Sequence, residues 1–252
     1  MVCFTEENII STVEERSFQI RKTLSITTWL SVFFCALVPA FLLSGLDESI
    51  QSLFYNPASG RWWISKSDIV IRLIFYDGPK IVLVLLGLVL IGAALLQSRL
   101  QPFWRFSRRR LLFVILCMAL VPASVALGKK LTNVYCPGQL QMYGGVAPSA
   151  TFASAFLGQS DSRFAKGRCF PAGHASGGFA LLGLYFVFKQ RRHRLAGLSV
   201  GLMSGWWMGG YQIIKGDHFV SHTLVSMAIA WLIAVLLQWL FAKSGYAVAA
   251  SD

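Results

Sequence analysis

Six long runs almost free of charge constrain this chain more than any other feature. Residues 24–46, 111–127, 169–188, 195–214 and 219–242 contain no Asp, Glu, Lys or Arg, and residues 79–97 carry only Lys80 near their start. A helix needs roughly 20 apolar residues to cross the hydrocarbon of a bilayer. Inside that hydrocarbon every backbone N–H and C=O must be satisfied within the protein, which leaves helices as the economical solution. Charged residues make up 13% of the chain, against about 25% in an average soluble domain. The expected fold is therefore an all-α integral membrane protein with six transmembrane helices. The first run is too long and too far from the start for a signal peptide, and no small-residue cleavage site follows it. Residues 1–23 are read as a cytoplasmic lead, 24–243 as one membrane domain, and 244–252 as a cytoplasmic tail.

Net charge is +12, unevenly placed. Arg99, Arg105, Arg108, Arg109 and Arg110 crowd one short loop, and Lys189, Arg191, Arg192 and Arg194 another. With Arg16, Arg21, Lys22 and Lys243 at the two ends, six spans put all these residues on one side. The positive-inside rule makes that side cytoplasmic. Topology thus accounts for most of the basic excess, and a nucleic-acid partner is not expected. It does not account for Lys129, Lys130, Arg168 and Lys215, which face outward. Residues 47–78, with Trp62 and Trp63, suit a segment lying along the outer interface. The arrangement is two spans followed by a four-helix unit that holds the candidate chemistry.

Four histidines occur. His193 lies in a cytoplasmic basic turn. His174, His218 and His222 all fall at the outer boundary, brought from two distant parts of the chain to one membrane depth. His174 follows Pro171-Ala172-Gly173 at the start of a predicted helix, where free N–H groups and the helix dipole favour an anion. Gly173 lets the backbone approach a phosphate closely. His218 follows Lys215-Gly216-Asp217, and His222 lies four residues on, on the same face if the last helix has begun.

These residues resemble the type 2 phosphatidic acid phosphatase superfamily, with its pattern K-x6-R-P, then P-S-G-H, then S-R-x5-H-x3-D. Lys129 and Pro137 match the first motif, with Cys136 in place of the arginine. Pro171, Gly173 and His174 match the second, with Ala172 in place of serine. His218 matches the third, with Tyr211, Gln212 and His222 at the Ser, Arg and Asp positions. The resemblance implies a metal-independent phosphatase without cofactor, acting on a phospholipid or lipid-linked phosphate at the outer face of a bacterial inner membrane. His218 would be the nucleophile and His174 the general acid and base. Lys129 or Lys130, Arg168 and Lys215 are the cations available to replace the two missing arginines. Arg168 is the preferred one, because a guanidinium grips two oxygens at once. Asp217, Asp77 or a neutral His222 could hold the other ring nitrogen of His218.

Cys136 and Cys169 lie outside, where disulfides persist, in two motif segments that the resemblance brings together. A disulfide, two free thiols and metal ligation are all open at this point. Two rival functions stand beside the phosphatase. One is a metal-dependent hydrolase using Cys169, His174, His218 and His222, against which the cationic surroundings speak. The other is a transporter or scaffold, which should carry polar groups near the bilayer midplane, whereas here they gather at one face.

Overall fold

The computed structural model describes residues 44–97, 107–148 and 164–244, together with 28–29, 32–33, 36–41 and 248. The expected N-terminal segment lies outside these residues, as do most of the arginine loop 99–110 and most of the tail. Within the first apolar run, residues 28–29, 32–33 and 36–41 are helical, and Ser44 and Gly45 form a turn.

Among the described residues the regular structure is helical, but for one small hairpin and an isolated bridge between Leu140 and Ala147. A short helix α1 (Leu46–Ser52) leads into β1 (Tyr55–Asn56) and β2 (Arg61–Trp62), paired antiparallel with Tyr55 opposite Trp62. Helix α2 (Ile69–Leu95) follows, then α3 (Arg108–Leu131). Helix α4 begins at Gly173–Phe179, tightens through a 3₁₀ stretch Ala180–Gly183 and ends in the turn Leu184–Val187. Helices α5 (Arg191–Ile214) and α6 (Val220–Lys243) complete the bundle.

Several boundaries differ from those expected: α3 takes in residues 108–110 and α5 takes in residues 191–194, which were expected in a loop and a turn. The second helix begins ten residues early, at Ile69 rather than 79, because the Asp68 side chain accepts a bond from Ile71 N–H at 3.0 Å and caps it. Arg72 and Asp77, which fall in the segment 47–78 expected along the outer interface, pair with each other at 2.9 Å on the helix surface, across a π-helical stretch Leu73–Asp77. The segment 47–78 is accordingly structured along most of its length. The fourth run does not form one helix from 169 to 188, since residues 169–172 stay outside and the helix starts after Pro171.

Among the described residues three helices, α2, α3 and α6, are long and apolar enough to cross a membrane. The side chains of Ile81, Val82, Leu85, Leu88 and Val89 on α2 are exposed, a surface suited to hydrocarbon. Inside, Phe113, Cys117 and Val121 of α3 meet Phe179 and Leu182 of α4 and Ala230, Trp231 and Ala234 of α6. Helix α5 presents a buried row of Gly197, Gly201, Gly205 and Gly209. Their spacing of four residues makes one smooth face, against which the backbone of Leu182 and the ring of Phe179 lie. Small residues at such a crossing allow the close approach that drives helix association in lipid.

Candidate active site

Three chain segments meet at one end of the bundle. The first is the last turn of α3, carrying Lys129. The Lys129 ammonium lies against Gly173, 3.1 Å from where a side-chain carbon would stand. Glycine is what allows the cation to reach the start of α4.

The second segment is that start. Ala172 N–H donates to the His222 carbonyl at 3.1 Å, and Ser226 Oγ donates to the Ala172 carbonyl at 2.9 Å. These two bonds pin the beginning of α4 to α6. His174, half-buried, packs its ring on Tyr76 of α2, with centroids 4.3 Å apart.

The third segment joins α5 to α6. Lys215 Nζ sits over the rings of Tyr76 and Tyr211, 5.2 and 4.7 Å from their centroids, so Tyr76 is in contact with both Lys215 and His174. Gly216 adopts φ 79°, open to glycine at no steric cost. Its carbonyl accepts from Gly138 N–H at 2.8 Å, and the Trp62 indole closes on its Cα so tightly that no side chain would fit. Asp217 is held by Lys66 at 2.7 Å and Lys215 at 2.8 Å. Burial alone would raise its carboxyl, but the bonds to Lys215 and Lys66 outweigh that and hold it below its ordinary value.

His218 is almost fully enclosed, 3% exposed. Burial first, then His222, Lys129 and His174, keep its imidazole well below the ordinary histidine value. A neutral imidazole is the form that can attack. It also ties stability to pH. The unfolded chain takes up a proton near about 6.5 that the folded chain refuses, so the contribution is complete above that value and lost as pH falls below it. We expect the Tm in detergent to fall between about pH 7 and pH 5, and to fall less in His218→Gln. Equal slopes in both proteins would contradict this.

Cys136 and Cys169 form a disulfide, with Cα atoms 5.1 Å apart. It ties the segment after α3 to the segment before α4. Cys169 Sγ, which carries no proton, touches the Asp217 carbonyl at 2.8 Å and lies 3.6 Å from His218 Nδ1. Cys169, His218 and His222 are close enough to suggest a metal centre, with donor atoms within 4.8 Å. The sulfur is committed to the disulfide, however, and offers no thiolate. The remaining imidazoles face Lys129, which disfavours a dication.

The structure thus gathers His174, His218, His222, Lys129, Lys215, Asp217 and Gly173 around one place. Lys130 is exposed, its carbonyl accepting from Lys166 Nζ at 3.1 Å. Arg168 is exposed as well. Asp77 is engaged by Arg72. Among the described residues no carboxylate is hydrogen-bonded to His218; the His222 ring stands 5.7 Å from it, centroid to centroid. Lys66 and Tyr76 were not legible as site residues, since nothing in their local sequence marks them.

The model of the PAP2 superfamily matches residues 110–246, more than half of the chain. The chain belongs to the PAP2 superfamily. That membership points to a phosphatase acting on a phosphorylated substrate. The PAP2 segment runs from the first turn of α3 to just past α6 and so encloses the three histidines, Lys129, Lys215 and the disulfide. Helix α1, the hairpin and α2, which supply Lys66 and Tyr76, lie before it. No curated protein and no solved structure is found to match the chain.

Proposed function

We propose that this protein is a membrane-embedded lipid phosphatase that hydrolyses a phosphate monoester or anhydride through a phosphohistidine. The observation that carries this reading is the meeting of two imidazoles with two ammonium groups, His218 and His174 with Lys129 and Lys215, at one end of a helical bundle. His218 attacks phosphorus in line and forms an N–P bond as the bond to the leaving oxygen breaks. His174 gives that oxygen a proton. Deprotonated, it then takes a proton from water, whose oxygen displaces His218 and releases phosphate. Phosphoryl transfer asks mainly for positioning and positive charge around the equatorial oxygens. Lys129 and Lys215 supply that charge, and no step requires a metal.

The six apolar runs and the positive-inside distribution support a six-span topology, with this site on the extracytoplasmic face of a bacterial inner membrane. Substrates that present phosphate at that depth include lipid A phosphates, undecaprenyl diphosphate and phosphatidate. If a second lipid replaced water as acceptor, the same residues would perform a transfer. The test is phosphate release by purified protein from a panel of these lipids, with His218→Ala as blank and with and without EDTA. Release from at least one lipid, unaffected by EDTA, is expected. No release from any of them, or release abolished by the chelator, would contradict the reading.

A further inference from the structure

Helix α1 is only seven residues long and precedes the PAP2 segment, yet two of its polar side chains are buried, Asp47 at 7% exposure and Gln51 at 0%. Each reaches across the fold to one end of the loop that joins α5 to α6. Asp47 Oδ1 accepts from Ser221 N–H at 3.0 Å, so a residue 174 positions away caps the N-terminus of α6. Gln51 Nε2 donates to the Ile213 carbonyl at 2.8 Å, in the last turn of α5, beside the bond that the same carbonyl accepts from Gly216 N–H at 3.0 Å. The acceptor is placed where a helix begins and the donor where a helix ends. Between these anchors lie Lys215, Gly216, Asp217 and His218. Helix α1 is itself braced from outside, because Tyr143 Oη donates to the Glu48 carbonyl at 3.1 Å while its ring packs on Tyr55 and Trp62.

We propose that α1 is a clamp: Asp47 and Gln51 hold the loop carrying Lys215, Asp217 and His218 by its two ends, and so act as positioning residues for the phosphate site. The proposal rests on the phosphatase reading for its consequence in catalysis, but the clamp itself does not. It is read by amide hydrogen exchange of full-length protein in detergent, comparing peptides covering 212–222 with peptides covering 173–187.

Loss of a cap costs on the order of tenfold in a local equilibrium, so Asp47→Ala and Gln51→Ala should speed exchange in 212–222 by about that factor and leave 173–187 unchanged. Two variants of unchanged shape separate the clamp from general packing. Asp47→Asn keeps an acceptor oxygen and should restore slow exchange and most of kcat. Gln51→Glu loses the donor and should behave like Gln51→Ala. These two also decide the matter if Asp47→Ala does not fold. Slow exchange in Gln51→Glu, or fast exchange in Asp47→Asn, would overturn the clamp. If the wild type releases phosphate from no lipid while the exchange pattern holds, the clamp stands and the phosphatase reading falls.

Discussion

Purified His218→Ala is expected to lose turnover by about a thousandfold or more, because removal of the proposed nucleophile leaves only binding and electrostatic stabilisation to act. The variant should still fold. His218 contributes to no hydrophobic cluster, and its backbone N–H bond to the Gln212 carbonyl at 3.2 Å does not depend on the side chain. Folding is checked by gel filtration and Tm, turnover by released phosphate. His174→Ala should be impaired in a different way. On the proposed mechanism it loses the proton donor, so its deficit shrinks as the leaving group becomes a better one. An equal deficit on aryl and alkyl phosphates would remove His174 from that role. Retention of more than a few per cent of activity by His218→Ala would remove His218 from its own.

The second large effect concerns the disulfide. It closes a loop of 33 residues, which by chain entropy is worth roughly 3–4 kcal/mol. Its position makes the loss more than a matter of stability. Cys169 lies against both the Asp217 carbonyl and His218 Nδ1, and residues 169–172 lead directly into His174. Breaking the bridge frees a wall of the site. Cys136→Ser and Cys169→Ser should each lower Tm and activity, and the double substitution should be no worse than either alone, since one bond is lost in all three. Reductant should impair the wild type and leave the double variant unaffected. Additive losses in the double variant would show that the cysteines act independently.

Much of this site was legible because its markers are local. The motifs around His174 and His218 name two segments, and the uncharged runs place them at one depth. Lys129 follows from its spacing to Pro137. The row Gly197, Gly201, Gly205 and Gly209 could have been read as a packing face, since its period of four is visible in the sequence. Arg168 was favoured as the phosphate ligand for its guanidinium chemistry, but its neighbours Gly167 and Cys169 are the buried ones and its own side chain is exposed. The early start of α2 was hidden because Arg72 and Asp77 interrupt the apolar run, and in the structure the two charges pair with each other on the helix surface. Asp47 and Gln51 left no trace, since a cap supplied from 174 residues away has no sequence spacing to reveal it.

The central claim is that phosphate passes through His218. The most direct measurement is to mix the protein with a lipid phosphate that it hydrolyses, stop the reaction in alkali, which preserves phosphohistidine, and locate the added phosphate by mass spectrometry. A phosphorylated peptide bearing the group on His218 is expected in the wild type and not in His218→Ala. A hydrolysing wild type with phosphate on another residue, or with none on His218 at any time before substrate is exhausted, would contradict it.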